Sequence, residues 1–141
     1  MKLNYAAIVQ AGADLQFFCH GQALENGWWT DMATGMDTTS VGYPKLQPVK
    51  NVGELLCLVH SEISEAMESH RKLLQDDKLP ERTGLEVELA DAVIRIFYMS
   101  GGLGLDVAGA IAEKLAYNAS RADHKPENRR AVGGKKFGST E

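Results

Sequence analysis

The chain has 141 residues, 44% hydrophobic and 24% charged, a balance typical of a soluble globular protein with room for one hydrophobic core. A formal net charge of −4 gives no reason to expect a general nucleic-acid or membrane binder, although an anion stays bindable through bound cations or a local basic patch. Cys19 and Cys57 are far apart with no CxxC pair, which excludes a disulfide framework or a cysteine zinc site, and the start "MKLNYAAIVQAGADLQ" is neither a signal peptide nor a membrane span. The cytoplasm is the expected compartment.

Helical spacing dominates the chain. Asn4 is placed to cap a first helix running to about Glu25, with Ile8, Leu15 and Phe18 on one side and Gly27 as its stop. Residues 28–50 carry Gly, Pro, Thr and Asp without a sustained period and read as a long loop. "NVGE" resembles a capping box at Asn51 and Glu54, opening a second helix to about Leu74. "TGLE" repeats the device at Thr83 and Glu86, and that third helix runs to about Ser100 before "GGLG". Asp106 is placed to cap a fourth, continuing to about Asp123. Residues 124–141 read as a polar, basic, fraying tail in which Lys125, Lys135 and Lys136 extend a positive rim. The predicted fold is a single all-α domain resembling a four-helix bundle.

The second helix raises a problem of charge. At about 100° per residue, Val59, Glu62 and Ala66 lie within roughly 40° of Leu55, so Glu62 falls inside the apolar arc and Glu65 at its edge. The third helix is apolar around most of its circumference, as a buried central helix is. Beyond Glu86, its charges fall on one stripe of Glu88, Asp91 and Arg95. Two neighbouring apolar helices thus each aim a carboxylate pair inward, ExxE and ExxD. Unpaired, such a group is costly to bury or is forced to protonate. Hard divalent cations remove the conflict: Mg²⁺, or Mn²⁺ in its place, takes oxygen ligands and keeps waters for a substrate phosphate. The bland alternatives are a solvated acidic face and an ordinary Asp91–Arg95 ion pair at i, i+4. A di-iron carboxylate site is set aside because no ExxH occurs in the chain.

Glu62 and Glu65 followed by Glu88 and Asp91, within "ELLCLVHSEISEAMESHRK" and "EVELADAVIRI", resemble the signature of the MazG-like all-α nucleoside triphosphate pyrophosphohydrolases. "EKLAYNASRADHK" is similar to that family too, and the resemblance covers roughly residues 17–137, although residues 28–50 match nothing assignable. It implies hydrolysis of a nucleoside triphosphate to the monophosphate and pyrophosphate, with the four acids holding Mg²⁺. Glu65, at the solvent edge of its arc, is the preferred base for the attacking water.

On the fourth helix Lys114, Asn118 and Arg121 fall at i, i+4 and i+7, a stripe suited to phosphates and a hydrogen-bonding base or sugar, or else a solvated face. Trp28 and Trp29 offer a stacking surface for a base, with one of the two expected to close the core instead. His20 reads as a packing or surface histidine. So short a chain with long apolar helices is expected to complete its core as a homodimer or homotetramer. Two rival functions are phosphoribosyl-ATP pyrophosphohydrolase and a non-catalytic nucleotide-binding or regulatory helical module.

Overall fold

Four long helices begin at the capping residues that the sequence offers. In a computed structural model, which describes residues 4–39, 44 and 50–133, α1 spans Tyr5–Glu25, α2 Val52–Lys72, α3 Gly84–Gly102 and α4 Val107–Ser120. The Asn4 carboxamide accepts from the backbone N–H of Ala7, and Asp106 accepts from Gly109. Thr83 and Glu86 satisfy each other's backbone donors in a complete capping box. At Asn51 the box is partial: the side chain accepts from Gly53 N–H, and its amide donates to the Glu54 carboxylate rather than receiving a backbone contact. Gly27 follows α1 at φ 73°, where a side chain would be strained.

The chain's end departs from expectation. α4 stops at Ser120, three residues early, because Arg121 turns extended (ψ 126°) and its guanidinium closes on the Asp123 carboxylate at 2.9 and 2.6 Å. A 3₁₀ turn at Ala122–His124 and a short helix α5, Pro126–Arg130, follow within what reads as a fraying tail. Pro126 opens α5 at a first-turn position where its missing N–H costs nothing. Lys135 and Lys136 lie outside the described residues, as do 40–43 and 45–49 of the long loop.

The all-α class holds, and among the described residues there is no strand, only two isolated β-bridges. The helices pack in an open order rather than a closed bundle: α2 on α3, α3 on α1, and α1 on α4. Small residues permit the contacts. A Cβ on Gly12 would stand 2.9 Å from that of Ala108 where α1 meets α4, and one on Gly84 would stand 2.7 Å from the Ser69 hydroxyl where α3 meets α2. The Ser100 hydroxyl, fully buried, donates to the Gln16 carboxamide and ties α3 to α1.

Trp29 is also fully buried, packed on His20, Tyr98 and the glycine pair at the end of α3. A Cβ on Gly102 would overlap the Trp29 ring, and one on Gly101 would overlap His20. The loop after α1 is thereby anchored: the Trp29 carbonyl accepts from both the backbone N–H and the hydroxyl of buried Thr38.

α3 is central but not enclosed. α4 leaves it at 116° to lie on α1, so Leu89, Val93 and Ile94 remain between 43 and 45% exposed. Leu56, Ile63 and Met67 form a second apolar stripe along α2, also exposed. Among the described residues no single helix is long and apolar enough to cross a membrane.

Candidate functional site

α2 and α3 meet along the faces that carry the acids. Leu55, Glu62 and Ala66 are the buried residues of α2, the arc expected from their spacing, with Glu62 only 5% exposed. Oxygens of Glu62, Glu65 and Glu88 come within 4.8 Å of one another. Glu62 is buried, Glu65 exposed and Glu88 half-buried, so the group runs from the interior to solvent. Burial pushes the Glu88 carboxyl above the ordinary range, and the charges of Glu65 and Glu62 push it further. Asp91 is not one of this group of three. Burial raises its carboxyl as well, with Glu62 adding repulsion and Arg95 partly offsetting it.

The partner of Glu62 is not what the sequence suggests. The Arg95 Nε–H donates to Glu62 Oε1 in a short charge-assisted bond across the α2–α3 interface, and no Asp91–Arg95 ion pair forms. Arg95 was legible as part of the α3 charge stripe, but spacing favours the partner four residues away over one 33 residues distant. The carboxylate buried in the apolar arc is therefore neutralised within the chain.

Asp91 and Arg95 also line a cavity of about 550 Å³ whose floor is α3 and whose walls are α1 and α2. On α3, Asp91, Ile94, Arg95 and Tyr98 face it at i, i+3, i+4 and i+7; Phe18 and Gln22 on α1 and Asn26, the residue that caps α1, face it at i, i+4 and i+8. Leu58 closes the α2 side and Trp28 stands at the rim, 64% exposed. The two tryptophans thus divide, with Trp29 in the core and Trp28 on the cavity. Phe18, Gln22, Asn26 and Tyr98 did not emerge from the sequence as site residues; Tyr98, at i+7 from the candidate Asp91, had a periodic signal, and the three on the α1 side had none. His20 lies beside Trp29 outside this cavity, and burial lowers its imidazole below the usual range.

The α4 stripe is elsewhere. Lys114 and Arg121 lie over the Tyr117 ring at 4.9 and 5.9 Å, Arg121 is paired with Asp123, and Asn118 Oδ1 is buried with no hydrogen-bond partner among the described residues. α4 packs on α1, whereas the acids belong to α2 and α3. Within one chain the basic stripe and the acids therefore occupy different helix pairs.

Comparison with protein-family models, curated proteins and solved structures finds no match. What the site can do rests on its own chemistry. Three carboxylates from two helices make an all-oxygen donor set, the kind preferred by Mg²⁺ and Mn²⁺. The Glu88 and Asp91 carboxyls are raised first by burial and then by the charge of neighbouring acids, which a bound cation would offset. The residues present fit such an ion.

Proposed function

We propose that the protein is a Mg²⁺-dependent nucleoside triphosphate pyrophosphohydrolase of the MazG-like kind, converting a triphosphate and water to the monophosphate and pyrophosphate. The observation that carries the reading is that Arg95 bonds Glu62 of the oxygen cluster and also lines an aromatic-rimmed cavity large enough for a nucleoside, which ties the two together. Glu62, Glu65 and Glu88 would hold the cation, with Asp91 beside them. When bound, the ion would neutralise phosphate oxygens and make the α-phosphorus more electrophilic.

In this reading Trp28, Phe18 and Tyr98 supply apolar and stacking surface for the base, and Gln22 and Asn26 supply amide groups for its edge. The Gln22 amide lies 3.5 Å from the Asn26 carbonyl oxygen, which leaves the Gln22 oxygen and the Asn26 amide to read a ligand. Glu65, the exposed member of the cluster, takes the proton from the attacking water. Lys114, Asn118 and Arg121 join the site only through another copy, and the homo-oligomer is part of the proposal. The exposed apolar residues Leu56, Ile63 and Met67 on α2 and Leu89 and Val93 on α3 support it, being surface that a second copy would cover.

A second reading has one observation in its favour. The Glu62–Arg95 pair supplies a purely structural partner for the buried acid, as a non-catalytic helical module would need. Pyrophosphate release across the common NTPs and dNTPs, with Mg²⁺ and with EDTA, separates the two. Metal-dependent release is expected, and none with any nucleotide leaves the structural reading standing.

A further inference from the structure

One carboxylate serves two arrangements. Glu62 belongs to the oxygen cluster, and it is also the acceptor for Arg95 Nε. A divalent cation on Glu62 and a guanidinium on the same group are like charges at close range, in a place only 5% exposed, so each weakens the other. Glu62 has nowhere to go, being fixed within the buried arc of α2. Arg95 does: its side chain is 39% exposed, and it lines the cavity beside Asp91. Among the described residues its remaining guanidinium nitrogens have no hydrogen-bond partner.

We propose that Arg95 is the resident counter-ion of Glu62 in the cation-free protein, and that cation binding releases it to contact the polyphosphate of a nucleotide in the adjoining cavity. The proposal rests on the cation reading of the three glutamates given above. Its first half follows from the cost of an unpaired buried carboxylate, which the guanidinium removes for as long as no ion is present. Its second half follows from the chemistry of the freed group, a planar fork of donors suited to phosphate oxygens. The consequence is coupling between ligands. Arg95 competes with the cation when nucleotide is absent and is drawn away from Glu62 when nucleotide is present, so each ligand tightens the other by the same factor.

The test is Mn²⁺ uptake, read from the loss of the free-ion EPR signal, by the wild type and by Arg95→Gln, each with and without a non-hydrolysable α,β-methylene triphosphate. With its competitor removed, Arg95→Gln should bind Mn²⁺ alone about tenfold more tightly than the wild type, bind the analogue more weakly, and lose much of the mutual enhancement. If a folded Arg95→Gln binds Mn²⁺ no more tightly than the wild type, Arg95 is a structural partner of Glu62 and the proposal is wrong. If neither protein takes up Mn²⁺ under any condition, the cation reading itself fails and the proposal falls with it.

A measurement on the wild type covers the case in which the variant does not fold. The Arg95 Nε–H resonance, assigned through its side-chain correlations, should be protected from solvent exchange in EDTA. Its chemical shift should move on addition of Mg²⁺ and analogue, as it exchanges a carboxylate partner for phosphate. An Nε–H that keeps its position through that titration overturns the proposal.

Discussion

Neutralising Glu62 and neutralising Glu88 should move the stability of the cation-free protein in opposite directions. Both belong to one cluster, and mutual repulsion alone would predict that removing either charge stabilises the fold. Glu62, however, is 5% exposed and bonded to Arg95, whereas Glu88 is crowded by Glu65 and Glu62 and has its carboxyl raised by burial and by those charges. Glu62→Gln removes a charge-assisted hydrogen bond worth about 1.5–3 kcal/mol when well shielded. The Arg95 side chain is 39% exposed and regains water, which discounts the loss to about 1 kcal/mol. For a 141-residue chain with an unfolding entropy of about 2.1 cal/mol/K per residue, that lowers Tm by roughly 3 °C. Glu88→Gln should raise Tm in EDTA, because it removes a charge that the folded state disfavours. Thermal melts by circular dichroism in EDTA and in Mg²⁺ plus nucleotide analogue decide the matter, since both variants should also lose the stabilisation that those ligands give the wild type. A Glu62→Gln protein that melts at or above the wild type in EDTA refutes the assignment of Arg95 as its partner.

The tryptophans should separate cleanly. Trp28→Ala is expected to raise KM about tenfold with little change in Tm, whereas Trp29→Ala should cost about 3–5 kcal/mol of stability; kinetics and melts on the pair check both. Gly102→Ala places a Cβ within the Trp29 ring and should destabilise by about 1–3 kcal/mol, measured by urea unfolding. The pH dependence of the cation-free protein follows from Glu88 and Asp91, whose folded carboxyls titrate above the ordinary range. Acids raised in this way favour the fold fully when protonated, below about pH 4, and that contribution is lost as pH rises through their folded values. In EDTA, Tm should therefore rise as pH is lowered from 7 toward that range. It should fall below the range, where the depressed carboxyls of Asp31, Asp37, Asp77 and Glu86 take up protons. A Tm that only falls from pH 7 downward in EDTA contradicts the strained cluster.

The sequence shows its local signals well and its distant pairings poorly, for physical reasons. Caps at Asn4, Thr83 and Asp106 depend on residues within three positions of each other, so spacing alone reveals them. The buried arc of α2 is equally legible, because a helix fixes which side chains share a face. Arg95 is different: two carboxylates compete for it, and only the docking of α2 on α3 selects Glu62 over the near neighbour Asp91. The open order of the four helices is not legible for a similar reason, since α4 turns 116° from α3 and meets α1 at the distant pair Gly12 and Ala108. Gly101 and Gly102 read as a helix terminus and are the last two residues of α3, but the room they make for His20 and Trp29 comes from tertiary packing that no local signal shows. Trp28 and Trp29 are adjacent in the same loop, so no local pattern says which is buried; the space that Gly102 leaves at the end of α3 receives Trp29.

The proposed hydrolysis requires attack of water on the α-phosphorus of a nucleoside triphosphate, and isotope labelling reads which phosphorus is attacked. In ¹⁸O-enriched water with Mg²⁺ and the best-cleaved triphosphate, phosphorus NMR should show monophosphate and pyrophosphate in equal amounts. The label should reside in the monophosphate, and the reaction should stop in EDTA. Label in the pyrophosphate, release of orthophosphate in its place, or the absence of turnover with every nucleotide would overturn the proposed function.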